Sequence, residues 1–180
     1  MTSMGRAARG VGGSPPIGRD RPTPPLAALI FAPASVLGYM SGNLNQTTLA
    51  AALPTLAGSV GFALAVWAAV ALLRRRADAS SAVIACLWVV ASVYYLSLFG
   101  PLNTWLGGDY TLRETLPWTL AALALATFGL GRAPQACAPL HVVLSVIALV
   151  MLATPAWRVA GFAWRNAAAA SVYDPAAAEA

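Results

Sequence analysis

LAAALPTLAGSVGFALAVWAAVALLRRR, residues 49–76, decides how the rest of the chain is read. Leu49 to Leu73 pass without a charged side chain, and Arg74, Arg75 and Arg76 then follow in a row. An α-helix needs roughly 20 apolar residues to cross a hydrocarbon core, so this run is long enough to span one. Positive charge flanking a span is retained on the cytoplasmic side, so the arginine block marks the inner end and gives the span a direction.

Composition places most of the chain in the same setting. Of 180 residues, 59% are hydrophobic and 9% charged, against about 25% charged in soluble domains. All eleven basic residues are arginine. With the heavy use of alanine, this points to a GC-rich bacterial genome. The net charge of +5 raises nucleic acid as a partner, but the arginines sit at the ends of apolar runs, where they act as topology signals. Nucleic acid is therefore set aside.

The resulting fold class is all-α, a polytopic transmembrane helical bundle of about five spans. Residues 1–25, rich in Gly, Pro, Ser and Arg, read as a disordered cytoplasmic tail. The transmembrane domain is 26–155, with spans at about 26–40, 49–73, 80–99, 115–130 and 139–155. Residues 156–180 read as an extracytoplasmic interfacial segment and a disordered end. The first run is short, and Pro33 is expected to kink it. Its basic, apolar and small-residue order also matches a signal peptide, but continuation to Tyr39 favours an interfacial anchor. The loop 74–79 is too short for a domain, so spans two and three form an antiparallel hairpin. Asp109 and Glu114 against Arg113 leave the 100–114 connection at net −1, which suits the outside. Five spans put the N-terminus in the cytoplasm and the C-terminus outside, in a multi-pass inner (plasma) membrane protein; Arg158 and Arg165 are the exceptions to the charge rule.

Several smaller features have expected places. Gly58 and Gly61 offer small surfaces for helix contacts, and Gly38 with Gly42 forms a GxxxG at the end of a run. Trp67 suits the inner aromatic belt, with Tyr94, Tyr95, Trp105, Tyr110 and Trp118 toward the outer one. Asn45-Gln46-Thr47 matches a glycosylation sequon, a pattern short enough to arise by chance. Asp109 is spaced to pair with Arg113.

No catalytic, cofactor-binding or metal-binding residue emerges. No acid or base falls within the spans, although proton and ion pathways require ionisable groups at membrane depth. The lone histidine, His141, lies near the cytoplasmic start of the fifth span and reads as an interfacial polar residue. Cys86 lies mid-span and Cys137 in the loop after Arg132, with no CxxC spacing and no histidine beside them. Asp109, Glu114, Asp174 and Glu179 are scattered, and GxSxG, HExxH and P-loop patterns are absent.

Phe31 to Leu53, FAPASVLGYMSGNLNQTTLAAAL, resembles the opening of the membrane region of bacterial sulfatase-like proteins of the alkaline-phosphatase superfamily. Tyr39, Asn43 and Asn45 match an outer Tyr-x-x-Asn-like turn, and Leu49–Arg76 a second span ending in basic residues. HVVLSVIALVMLATPAWRVAGFAWR, residues 141–165, is similar to that family's last span and following amphipathic segment. The resemblance implies a membrane anchor for an extracytoplasmic hydrolase or transferase domain that works at a metal site. This sequence stops at Ala180, where such a domain would begin, so no catalytic residue carries over. The expected function is a non-catalytic membrane module, the anchor of a truncated or split sulfatase-like enzyme. The alternatives are a stand-alone scaffold or accessory subunit and a small transporter or lipid-handling protein. The expected partners are the lipid bilayer, an extracytoplasmic hydrolase, or other membrane helices.

Overall fold

The computed structural model describes residues 22–46, 48–106 and 111–172. Among these residues the chain is all-helical: α1 is Leu26–Gly42, α2 Leu49–Arg74, α3 Ala79–Leu106, α4 Leu112–Arg132 and α5 Pro134–Val172. The expected tail lies mostly outside the described residues, as do Thr47, Asp109, Tyr110, Asp174 and Glu179.

The helix ends follow local chemistry. Pro22, Pro24 and Pro25 keep the chain non-helical until Leu26. At the start of α2, Thr48 Oγ1 accepts the Ala51 N–H at 3.2 Å, a side-chain N-cap. That helix closes with Arg75 in the left-handed region, φ 53°. Arg75 N–H donates to the Leu72 carbonyl and Arg76 N–H to the Ala71 carbonyl, the Schellman pairing usually given to glycine. Thr111 and Glu114 form a capping box at the start of α4, a T-x-x-E signal legible in the sequence. Ala133 alone separates α4 from α5, and Pro134 takes the first helical position of α5, where its missing N–H costs nothing.

The central element is α1. It packs against α2, α3 and α5, while α4 lies outside on α3 and touches α5. Ala27, Ala28 and Ala32 are fully enclosed and pack with Phe31 against Ala63, Cys86, Val89 and Ala148. Side chains this small let neighbouring backbones approach closely. A second cluster, Met40, Ala52 and Val159, ties α1, α2 and α5 together at the opposite end from the arginines. Val159 lies 22 residues beyond Cys137 on α5, or about 33 Å along a helix. That separation is close to the ~30 Å of a hydrocarbon core.

Several sequence expectations are corrected here. Helix α1, short as it is, is the hub of the bundle, and it continues through Pro33 to Gly42. Helix α3 continues through Pro101 to Leu106, and α5 runs unbroken through Pro155 to Val172, so 156–172 continues the fifth helix. Proline ends a helix when the displaced carbonyl has no other partner; among packed apolar helices, nearby hydroxyls and other groups can serve it. Gly38, Gly42, Gly58 and Gly61 meet nothing within 4 Å of an added Cβ, so alanines rather than glycines make the close contacts.

Among the described residues, two helices are long and apolar enough to cross a membrane, namely α2 and the Pro134–Asn166 portion of α5. Their most apolar stretches are only 6% and 17% buried. Leu26–Gly42 and Ala79–Tyr95 are shorter apolar helical stretches.

Candidate functional site

Two groups of polar side chains stand out in the bundle. The first is the arginine end. Asp78 stands before α3 and accepts the Ser81 N–H at 2.9 Å and the Ser80 hydroxyl at 2.7 Å, in the manner of an N-cap. The Arg74 guanidinium lies 3.6 Å from the same Asp78 oxygen and donates to Ser80 Oγ at 2.6 Å. Ser81 Oγ donates to the Arg76 carbonyl at 2.7 Å. Thr23 N–H reaches the Ala77 carbonyl at 2.8 Å, fastening the approach to α1 onto the same turn. Partial desolvation disfavours the Asp78 charge, but hydrogen bonds from Ser80 and Ser81 and the Arg74 charge outweigh it. Together they hold its carboxyl below the usual range.

This network is a latch between α2, α3 and the chain entering α1. Its polar groups are occupied with one another, an arrangement that fixes a turn and presents no free nucleophile. Nearby, Arg132 stacks over the Phe128 ring at 3.3 Å, a cation–π contact on α4. Cys137 is buried in the first turn of α5 rather than placed in a loop. Its thiol lies toward the Leu130 and Ala133 carbonyls. His141 is also enclosed, 8% exposed, with no partner for Nε2. The sequence places it near the cytoplasmic start of the helix, and there the neighbouring helices cover it.

The second place is an open cavity of about 670 Å³ formed by α1, α2, α3 and α5, with Ala34, Val36, Val93 and Met151 among its apolar lining. Its lining also carries the hydroxyls of Ser35, Thr55, Tyr94, Ser97 and Thr154. Its volume falls in the range of small-molecule sites, which occur between the helices of bundles. Thr154 is 17 residues beyond Cys137 and five before Val159. The cavity thus lies about 26 Å from the arginine end and about 8 Å short of the opposite layer.

Tyr94 and Tyr95, expected toward the outer aromatic belt, join helices. Tyr94 O–H donates to the Phe31 carbonyl at 3.2 Å. Tyr95 and Thr115 hydroxyls meet at 2.7 Å, and Trp88 Nε1–H donates to Thr127 Oγ1 at 3.1 Å. These last two contacts fasten α4 to α3. Trp67, assigned by sequence to the inner belt, has a buried indole N–H without a partner. Trp105, Trp118, Trp157 and Trp164 are strongly exposed.

Among the described residues, no group of three or more His, Cys, Asp or Glu side chains could hold a metal ion. Cys86 and Cys137 are separate free thiols. The hydroxyl-lined cavity escaped sequence reading, because serine and threonine in apolar runs also serve as helix back-bonding residues.

No family model, curated protein or solved structure matches this chain. The resemblance to sulfatase-like membrane regions rests on the residues quoted above.

Proposed function

We propose that the chain is a multi-pass integral membrane protein, with five helices crossing the bilayer and the N-terminus in the cytoplasm, and that it serves as a non-catalytic membrane module. The observation that carries this reading is the uncovered apolar surface of α2 and α5. A buried core helix in a soluble protein would pass the same length and hydropathy test, but it would be covered by its neighbours. Here Leu72 and Leu73 are 77% and 85% exposed, and the outward faces of α4 and α5 add Leu125, Phe128 and Val150. Contiguous apolar surface of this extent belongs against lipid or other helices. The exposed tryptophans at 105, 118, 157 and 164 supply interfacial anchors.

In this reading α5 passes the outer layer at Val159 by thirteen residues to Val172, about 20 Å of helix. A projecting helix offers an extracytoplasmic partner something to hold. This supports the anchor role suggested by the sulfatase-like resemblance over a bundle confined to the membrane. The accessory-subunit role is the second reading, supported by the open apolar faces.

Membranes of the source cell, washed with alkaline carbonate and then solubilised, provide the test. The chain is expected to stay in the membrane pellet. After solubilisation it should co-purify with a phosphatase- or sulfatase-type activity, or appear as the heavier product of a longer chain. Release by carbonate would overturn the membrane reading. Retention with a stable membrane partner and no hydrolase would favour the accessory subunit.

A further inference from the structure

The cavity between α1, α2, α3 and α5 has a chemistry that the anchor role does not use. Proline has no N–H to give to the carbonyl four residues before it. Pro155 therefore leaves the Met151 carbonyl, and Pro101 the Ser97 carbonyl, without the usual helical donor, and both residues line this cavity. Thr55, Ser97 and Thr154 place hydroxyls there that have no hydrogen-bond partner among the described residues. The Ser35 hydroxyl donates to the Ala32 carbonyl and the Tyr94 hydroxyl to the Phe31 carbonyl, leaving the oxygens of both able to accept.

The lining is thus rich in acceptors and neutral donors, and no Arg, Asp, Glu or His belongs to it. A phosphate or carboxylate head would enter without a compensating charge, and desolvating it would be costly. A hydroxyl head would both donate to the carbonyl and hydroxyl oxygens and accept from the serine and threonine groups. The apolar remainder of the wall suits a hydrocarbon chain.

We infer that this cavity binds an uncharged lipid alcohol, acyl chains whose polar end carries a free hydroxyl as in a diacylglycerol, held by Ser97, Thr154 and the Met151 carbonyl. The inference rests on the membrane reading given above, and goes beyond it by assigning a ligand. The expected site lies about 8 Å inside the outer layer, a depth that a lipid with an uncharged head can still reach.

The test uses the full chain in phosphatidylcholine nanodiscs containing a diazirine-labelled diacylglycerol, with a phosphatidic acid of the same labelled chains as comparison. After photolysis, mass spectrometry should place diacylglycerol adducts on cavity residues of α1, α3 and α5. Unlabelled diacylglycerol should compete them away. Combined Ser97→Ala and Thr154→Val should lower that adduct yield about tenfold, the loss expected from two hydrogen bonds. Because this pair of changes touches helix packing, Val36→Trp, which fills the space and leaves the hydroxyls intact, should abolish the adducts independently. Adducts spread over the outward faces of α2 and α4 without competition would overturn the inference. So would equal labelling by phosphatidic acid, or unchanged yield in both variants. Failure of the chain to enter nanodiscs at all would instead sink the membrane reading, and this inference with it.

Discussion

Tyr94 and Phe31, 63 residues apart, meet twice: the tyrosine hydroxyl donates to the Phe31 carbonyl at 3.2 Å, and the two rings stand edge to face at 6.2 Å. The pair binds α3 to the central helix where the bundle core gives way to the hydroxyl-lined cavity. Tyr94→Phe keeps the ring contact and removes the hydrogen bond, so it should cost about 1 kcal/mol. Tyr94→Ala should cost about 3 kcal/mol or more, because the ring is lost as well. Thermal unfolding in detergent, followed by circular dichroism, checks the order of the two.

The Schellman turn after α2 uses an arginine where glycine is favoured. A non-glycine residue in the left-handed region costs about 1–2 kcal/mol, and Arg75 occupies it with φ 53°. Arg75→Gly should therefore raise stability by about 1 kcal/mol. In the proposed topology Arg74 and Arg76 still mark the inner end, so the orientation should not change. Unfolding midpoints of the variant and parent decide the matter.

Asp78 ties its latch to pH. Its carboxyl is held below the ordinary value of 3.8. A group depressed in the folded state contributes stability that is fully present above its unfolded value and lost as pH falls through the folded one. The parent should thus be insensitive to Asp78 near neutral pH and lose this contribution only below about pH 4. Asp78→Ala should lower stability at pH 7 by about 1 kcal/mol, as loss of an N-cap does. It should also remove part of the acid transition, measured as unfolding midpoints from pH 7 down to pH 3.

Helix α1 fits its neighbours through alanine. Ala28 and Ala32 have no exposed surface, so Ala28→Leu should overpack the bundle and cost about 1–3 kcal/mol. The same change at Ala57, exposed on α2, should cost little. Equal effects at the two positions would contradict the central place of α1.

The hairpin of α2 and α3 was readable because its signal is dense: a long uncharged run, three arginines and a loop of only four residues. Helical character elsewhere followed from apolar runs of similar kind. The limits of α3 and α5 were not readable, because Pro101 and Pro155 mark a boundary in water and are tolerated in packed apolar helices. The hub position of α1 was hidden by its brevity, since the sequence shows length but not which face is surrounded. The helix contacts of Tyr94 and Tyr95 were hidden for a related reason. An aromatic hydroxyl near a helix end suits headgroups and a neighbouring helix equally well until the neighbour is known. At the cavity, no motif links Ser35, Ser97 and Thr154; only packing brings them to one place.

The central claim is that these helices cross a bilayer with the arginine turn inside. Single cysteines at Asn45, Ala77 and Asn166, introduced after Cys86→Ala and Cys137→Ala, test it through a membrane-impermeant maleimide on intact cells whose periplasm is accessible. Asn45→Cys and Asn166→Cys are expected to be labelled directly, and Ala77→Cys only after the membrane is permeabilised. Labelling of Ala77→Cys in intact cells, or protection of either outer position, would contradict the account.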